Sequence, residues 1–250
     1  TEDFSVTLRY SLFEQDLRVP PRYNVNDLSR AIREARGRTL TSLVGLTFTY
    51  NTLDDFRNPR NGFFVEVSPE VAGIGGDKRF FRVGADARYY HEIFEDVVGI
   101  ARAQAGHITG FGNSPLRIND HYFLGSSLVR GFESAGIGPR DAVTGDALGG
   151  TTYFGASAEL QFPIPILPRA IAMRGALFAD AGTLFNYDGR RIFSDGTVNV
   201  RDSRKIRSSV GAGIIWRSPF GPIRFDYAIA TSKAQGDRTQ AFRFSGGTSF

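Results

Sequence analysis

Apolar and polar residues alternate with a period of two in segment after segment of this chain. From Tyr153 to Phe162, the residues Phe154, Ala156, Ala158, Leu160 and Phe162 fall on one face, and Gly155, Ser157, Glu159 and Gln161 on the other. Phe80 to Tyr90 sets Phe81, Val83, Ala85, Ala87 and Tyr89 against Arg82, Gly84, Asp86, Arg88 and Tyr90. Pro222 to Ala230 sets Ile223, Phe225, Tyr227 and Ile229 against Arg224, Asp226, Ala228 and Ala230. A stripe at helical spacing is visible only weakly, around Asn26 to Arg36. The pattern predicts an all-β protein.

Ten strands are expected: Phe4 to Phe13, Leu40 to Asn51, Gly62 to Ala72, Lys78 to His91, Glu95 to Thr109, Thr151 to Phe162, Ile171 to Gly182, Ile206 to Arg217, Pro222 to Thr231 and Ala241 to Phe250. Strands of a soluble sandwich average about five or six residues, whereas a tilted strand that crosses a bilayer needs roughly 9 to 11. The lengths here match the second case. Arg82, Arg88, Glu159 and Asp226 would then line a hydrated lumen, because on the lipid face each would cost on the order of 2 to 4 kcal/mol near the midplane. The expected fold is an antiparallel transmembrane β-barrel.

The connections give a second test. Numbered in chain order, the longest are the first (Glu14 to Thr39), the fifth (Gly110 to Gly150) and the seventh (Thr183 to Lys205), all odd, while even ones such as Glu92 to Phe94 are short. Bacterial outer-membrane barrels have long loops outside and short turns on the periplasmic side. The same parity puts the C-terminus at the periplasmic rim, where Phe242, Phe244, Gly246, Thr248 and Phe250 alternate and an aromatic closes the chain.

Composition narrows the picture further. The 250 residues include 29 Gly and 13% aromatics but no Cys, which suits β-structure with tight turns and excludes disulfides and thiol chemistry. No run of about 18 apolar residues occurs, so a transmembrane helix is excluded and a transmembrane barrel is not. The 30 basic and 26 acidic residues give a net charge of +4 scattered along the chain, unlike a nucleic-acid footprint. No shift in composition marks a domain boundary, so residues 1–250 read as one unit. The chain starts at Thr1 with no signal-like leader, which is expected of a mature protein or a fragment.

Loops beyond about 15 residues tend to be functional, and the segment Gly110 to Gly150 contains VRGF at Val129, Arg130, Gly131 and Phe132. A guanidinium cannot be deprotonated in a protein, so an arginine carried into a lumen needs carboxylates for its forked donors. Glu159 lies on the polar face of its strand, and Asp180 shares a face with Arg174, Ala176 and Phe178. Gly131 would let the backbone turn tightly, and Phe132 would pack against the wall.

VRGF, together with YNTLDDFRNPRNG (Tyr50 to Gly62), SAELQFPIP (Ser157 to Pro165), FADAG (Phe178 to Gly182) and SPFGPIRFDYA (Ser218 to Ala228), resembles the Omp85 superfamily. The matches run from about Leu40 to the C-terminus and look closest to its barrel-assembly branch. The resemblance implies a C-terminal portion, about ten strands, of a 16-stranded barrel in the bacterial outer membrane, without the POTRA domains and first strands. It implies that loop 110–150 folds inward and that Arg130 is ion-paired with Glu159 and Asp180. It also implies a function: insertion and folding of other outer-membrane proteins through a lateral seam, where an incoming strand pairs with an exposed edge. The last strand would supply that edge through Phe242, Phe244, Gly246, Gly247 and Phe250. The two glycines fit weak pairing or close packing beneath an aromatic neighbour.

Implied partners are unfolded outer-membrane proteins, accessory assembly lipoproteins, and outer-membrane lipid and lipopolysaccharide. Alternatives are an Omp85-type two-partner secretion pore, a translocation and assembly module subunit, and a passive porin-like channel. Catalysis is not expected: His107 with Ser114 is the best pairing and lacks an oriented carboxylate. No metal or cofactor is expected, because His91, His107 and His121 have no ligand spacing and GIGG at Gly73 to Gly76 lacks the Lys of a phosphate loop.

Overall fold

A computed structural model describes residues 3–21, 24–112, 115–165, 172–193, 196–218 and 221–246. Ten antiparallel strands form one sheet in chain order: β1 Phe4–Leu17, β2 Gly37–Asn51, β3 Gly62–Gly76, β4 Phe80–Phe94, β5 Val97–Gly110, β6 Thr152–Pro163, β7 Met173–Phe185, β8 Arg207–Ser218, β9 Gly221–Ser232 and β10 Phe242–Gly246. All ten expected strands are present. β1 and β2 run further than the alternation shows, because their ladder holds register from Phe4 opposite Tyr50 to Leu17 opposite Gly37. Glu14, Gln15 and Asp16 are exposed there, so backbone hydrogen bonds extend the hairpin where burial gives no signal. The weak helical stripe forms a 3-10 turn at Val25–Asp27 and a helix at Arg30–Glu34.

Cross-strand pairs follow the two faces. On the outer face Phe63 stands opposite Tyr89 with ring centroids 4.5 Å apart, and Phe225 packs on Phe244 at 5.1 Å. On the inner face, charges meet across the ladders: Arg9 reaches over Gly45 to Glu70, and Arg88 and Arg102 both donate to Asp86. Pro69 has no amide proton to give, and the β2–β3 ladder lapses at Ser68 and Pro69. The sheet does not close, since among the described residues β1 and β10 each have a neighbour on one side only.

The three long connections meet at one end of the sheet and form a cap. Ser29 Oγ donates to Asp141 at 2.6 Å, Arg190 pairs with Glu34 at 2.7 Å, and Arg140–Asp141 pairs antiparallel with Val200–Arg201. Ala31, Ala35, Ile118, Leu148, Tyr187 and Val198 form its apolar core. Burial pushes the Tyr187 phenol up to about 12, and its hydroxyl donates to the Arg190 carbonyl at 3.2 Å. At the opposite end, the turn between β2 and β3 is organised by side-chain acceptors. Asp54 accepts from the Arg60 and Asn61 amides at 2.9 and 3.1 Å, and the Arg60 amide above all holds its carboxyl below the ordinary value.

Candidate functional site

The connection between β5 and β6 turns back onto the inner face of β6–β9 and carries Arg130 to the wall. Antiparallel register decides what it meets there. Ser157 stands opposite Asp180 and Glu159 opposite Phe178, so one patch presents a hydroxyl, two carboxylates and an aromatic ring. The Arg130 amide and Nε donate to Asp180 Oδ2 at 3.0 and 2.7 Å, and Nη2 donates to Asp180 Oδ1 at 2.6 Å. Nη1 donates to Glu159 Oε2 at 2.5 Å, and Nη2 also donates to Ser157 Oγ at 2.9 Å. The guanidinium carbon lies 3.5 Å from the centre of the Phe178 ring. This is a forked, charge-assisted arrangement with the cation stacked on a π-face.

The patch extends beyond the residues that the sequence singled out. Arg224, 7% exposed, donates to both oxygens of Glu159 at 2.9 and 2.8 Å and through Nε to Asp226 at 2.9 Å. Ser157 donates to Asp180 at 2.6 Å. Arg243 on β10 stands opposite Asp226 and donates to the carbonyl of Ser126 in the loop at 2.5 Å. Arg130, Arg224 and Arg243 thus face Glu159, Asp180 and Asp226, and their formal charges cancel. A buried patch of this kind is tolerable because its charges are compensated and densely hydrogen-bonded.

Small residues make the seat. A Cβ at Gly155 would come within 2.5 Å of Leu128, and one at Gly211 within 2.5 Å of the Phe178 ring. Their absence lets Leu128 press onto the wall and lets Phe178 lie flat beneath Arg130. Gly131 has φ +91° and sits where a Cβ would be 3.3 Å from that of Ala228. Val129 and Phe132 are fully buried, packed with Leu128, Ile137 and Leu184. Phe132 bridges to Thr239, and Gln240 donates its amide to Gly131 at 3.0 Å, which ties the loop tip to the segment that enters β10.

The structure therefore brings Val129, Arg130, Gly131, Phe132, Glu159 and Asp180 together, and adds Ser157, Phe178, Arg224 and Asp226. Alternation marks Ser157, Arg224 and Asp226 as inward-facing, but it cannot say which inward residues the loop reaches. Phe242, Phe244 and Gly246 lie on β10, outside this cluster, while Gly247 and Phe250 lie outside the described residues. Among the described residues, a Cβ at Gly246 would meet nothing nearer than 3.9 Å, so these neighbours leave room for a side chain. His107 Nδ1 lies 2.8 Å from Thr152 Oγ1, and Ser114 lies outside the described residues. Among the described residues, no group of His, Asp and Glu is placed to hold a metal ion.

A profile of the Omp85 superfamily domain matches residues 1–250. The chain belongs to the Omp85 superfamily. This Omp85 chain is 34% identical over 248 residues to the outer membrane protein assembly factor BamA of Neorickettsia risticii, covering 95% of itself and 32% of that protein. It is 30% identical over 219 residues to the sorting and assembly machinery component 50 homolog of Xenopus tropicalis, covering 84% of itself and 46% of that protein. The crystal structure of BamA from Haemophilus ducreyi lacking POTRA domains 1-3 shares its fold, with a TM-score of 0.77 at 22% identity over 98% of this chain and 51% of that one. The chain spans less than half the length of either curated relative.

Proposed function

We propose that this chain is the C-terminal part of a bacterial outer-membrane barrel that inserts and folds other outer-membrane proteins through a lateral seam, without enzymatic chemistry. The observation that carries the reading is the seating of Arg130 between Asp180 and Glu159 on the inner wall, with the loop tip tied to the strand that leads to the sheet edge. A loop held this way keeps its register inside the lumen. In this reading Val129, Arg130, Gly131, Phe132, Glu159 and Asp180 act as a latch, and Phe242, Phe244, Gly246, Gly247 and Phe250 belong to the seam strand. The relatives named above, one bacterial and one vertebrate, are assembly proteins by name and support the same reading. Its substrates would be unfolded outer-membrane proteins, and its partners accessory assembly lipoproteins and the surrounding lipid, lipopolysaccharide included. No feature of the described residues favours a secretion pore, a translocation and assembly module subunit or a passive channel.

The test uses the full-length protein in cells depleted of the native copy. Arg130→Glu is expected to lower outer-membrane protein levels, and combining it with Asp180→Arg is expected to restore part of them. Unchanged levels in the Arg130→Glu strain would overturn the latch.

A further inference from the structure

A second cluster of guanidinium groups lies in the cap, away from the Arg130 patch. Arg140 stands opposite Arg201 in the short ladder between the fifth and seventh connections. Gly236 lies over both: a Cβ there would come within 3.3 Å of Arg201 Nη1 and 3.6 Å of Arg140 Cδ. Two residues on, Arg238 is fixed by its backbone, which donates to Gly136 at 2.9 Å and accepts from Glu133 at 3.0 Å. Three connections therefore each contribute one arginine to the same place.

Carboxylates lie near Arg140, but none pairs with it directly among the described residues. Arg140 is 4% exposed. Its Nη1 and Nη2 donate to the carbonyls of Gly145 and Ala135 at 3.2 and 2.6 Å, and its Nε has no acceptor among the described residues. None of Arg140, Arg201 and Arg238 is ion-paired to a carboxylate among the described residues, although Asp237, Glu133 and Asp146 are close enough to be felt by Arg140. Asp237 is already engaged by Arg207 at 2.9 Å, and Asp146 by the Ser29 amide at 2.7 Å and the Thr144 hydroxyl at 2.9 Å. Burial, with Arg238 adding to it, pushes the Arg140 guanidinium below its ordinary value. Neutral carbonyls satisfy two of its donors without cancelling charge, and Asp237, Glu133 and Asp146 offset that charge only from beyond ion-pair distance.

We propose that Arg140, Arg201 and Arg238 form a binding site for a phosphate group. Arg201 and Arg238 bring forked donors from two connections and Arg140 adds its charge behind them, which suits a multivalent tetrahedral anion, whereas a single carboxylate would occupy only one fork. Arg201 and Arg238 are exposed and form the entrance, and Arg140 forms the floor. The site does not depend on the assembly reading. Outer-membrane location bears only on the source, which is either a phosphorylated lipid headgroup or free phosphate.

The experiment measures pyrophosphate binding to the full-length protein in zwitterionic detergent by calorimetry, with R201Q/R238Q as the test variant and R201K/R238K as its charge-conserving partner. Both positions are exposed, and unboiled gel mobility reports the folded barrel. R201Q/R238Q is expected to weaken binding by about tenfold or more, with R201K/R238K falling between it and the parent. Equal affinity in the parent and R201Q/R238Q, no binding by the parent, or equal competition by acetate would each overturn the proposal. Melting in phosphatidylcholine nanodiscs with and without lipid A then separates the sources. A rise with lipid A that R201Q/R238Q abolishes assigns a lipid headgroup, and a response to pyrophosphate alone assigns soluble phosphate.

Discussion

Arg130 holds two carboxylates that differ in what else restrains them. Asp180 receives three donors from Arg130 and one from Ser157, while Glu159 is shared with Arg224, which engages both of its oxygens. The two paired reversals should therefore be unequal. Arg130→Glu with Asp180→Arg exchanges charges across one contact, whereas Arg130→Glu with Glu159→Arg sets a new cation against Arg224. Outer-membrane protein levels are expected to recover further with the first. Truncating Arg130 to Ala should cost about 3 to 5 kcal/mol, read from urea unfolding in lipid vesicles, because two buried carboxylates lose a counter-charge. His121 supplies a pH signature of the cap. Its Nδ1 lies 2.9 Å from the Leu148 carbonyl, its Nε2 is buried with no partner among the described residues, and its ring meets Tyr187 edge-on at 5.2 Å. Burial holds this imidazole below the ordinary value of 6.5, against the Leu148 carbonyl, Asp120 and Asp188. The unfolded chain then binds the proton first, so the stability is present above 6.5 and lost as pH falls below it. The melting temperature should fall with pH in that range, and His121→Phe should flatten the dependence.

At the scale of the element, β10 differs from its neighbours. It runs only from Phe242 to Gly246 within the described residues, pairs with β9 alone, and places Phe242 and Phe244 over Phe225 on the outer face. Gly246 pairs with Ile223 and has no close neighbour among the described residues, so none of these requires glycine there. Gly246→Val should strengthen the strand by about 0.5 to 1 kcal/mol. Hydrogen exchange at the Arg224 amide, which lies on the β10 side of β9 next to this pair, is expected to slow in the variant. If the seam must open for function, the same change should reduce assembly in cells. An unchanged exchange rate together with unchanged assembly would assign Gly246 no part in weak pairing.

For the whole molecule, the division between faces sets the energetics. Leu177 is 51% exposed on the outer face of β7, one residue from Phe178, which lies buried beneath Arg130 on the inner face. In a bilayer, Leu177→Arg should cost on the order of 2 to 4 kcal/mol near the midplane, measured by urea unfolding in lipid vesicles. A loss below about 0.5 kcal/mol, as for an ordinary surface substitution, would mean that this face does not meet lipid. The alternation of Phe154 to Phe162 and of Ile223 to Ile229 is enough to give strand type, face and approximate bounds, because burial on one side of a pleat is a local property of the chain. Loop length marks Gly110 to Gly150 and a guanidinium carried into a lumen needs carboxylates, but it is the resemblance carried by VRGF and the motifs around it that singles out Arg130 with Glu159 and Asp180. Register and loop docking are not local, since they arise from many contacts between residues far apart in the chain. For that reason only the tertiary structure decided that Ser157 and Arg224 complete the patch, that Gly155 and Gly211 seat the loop, and that Arg140, Arg201 and Arg238 meet in the cap.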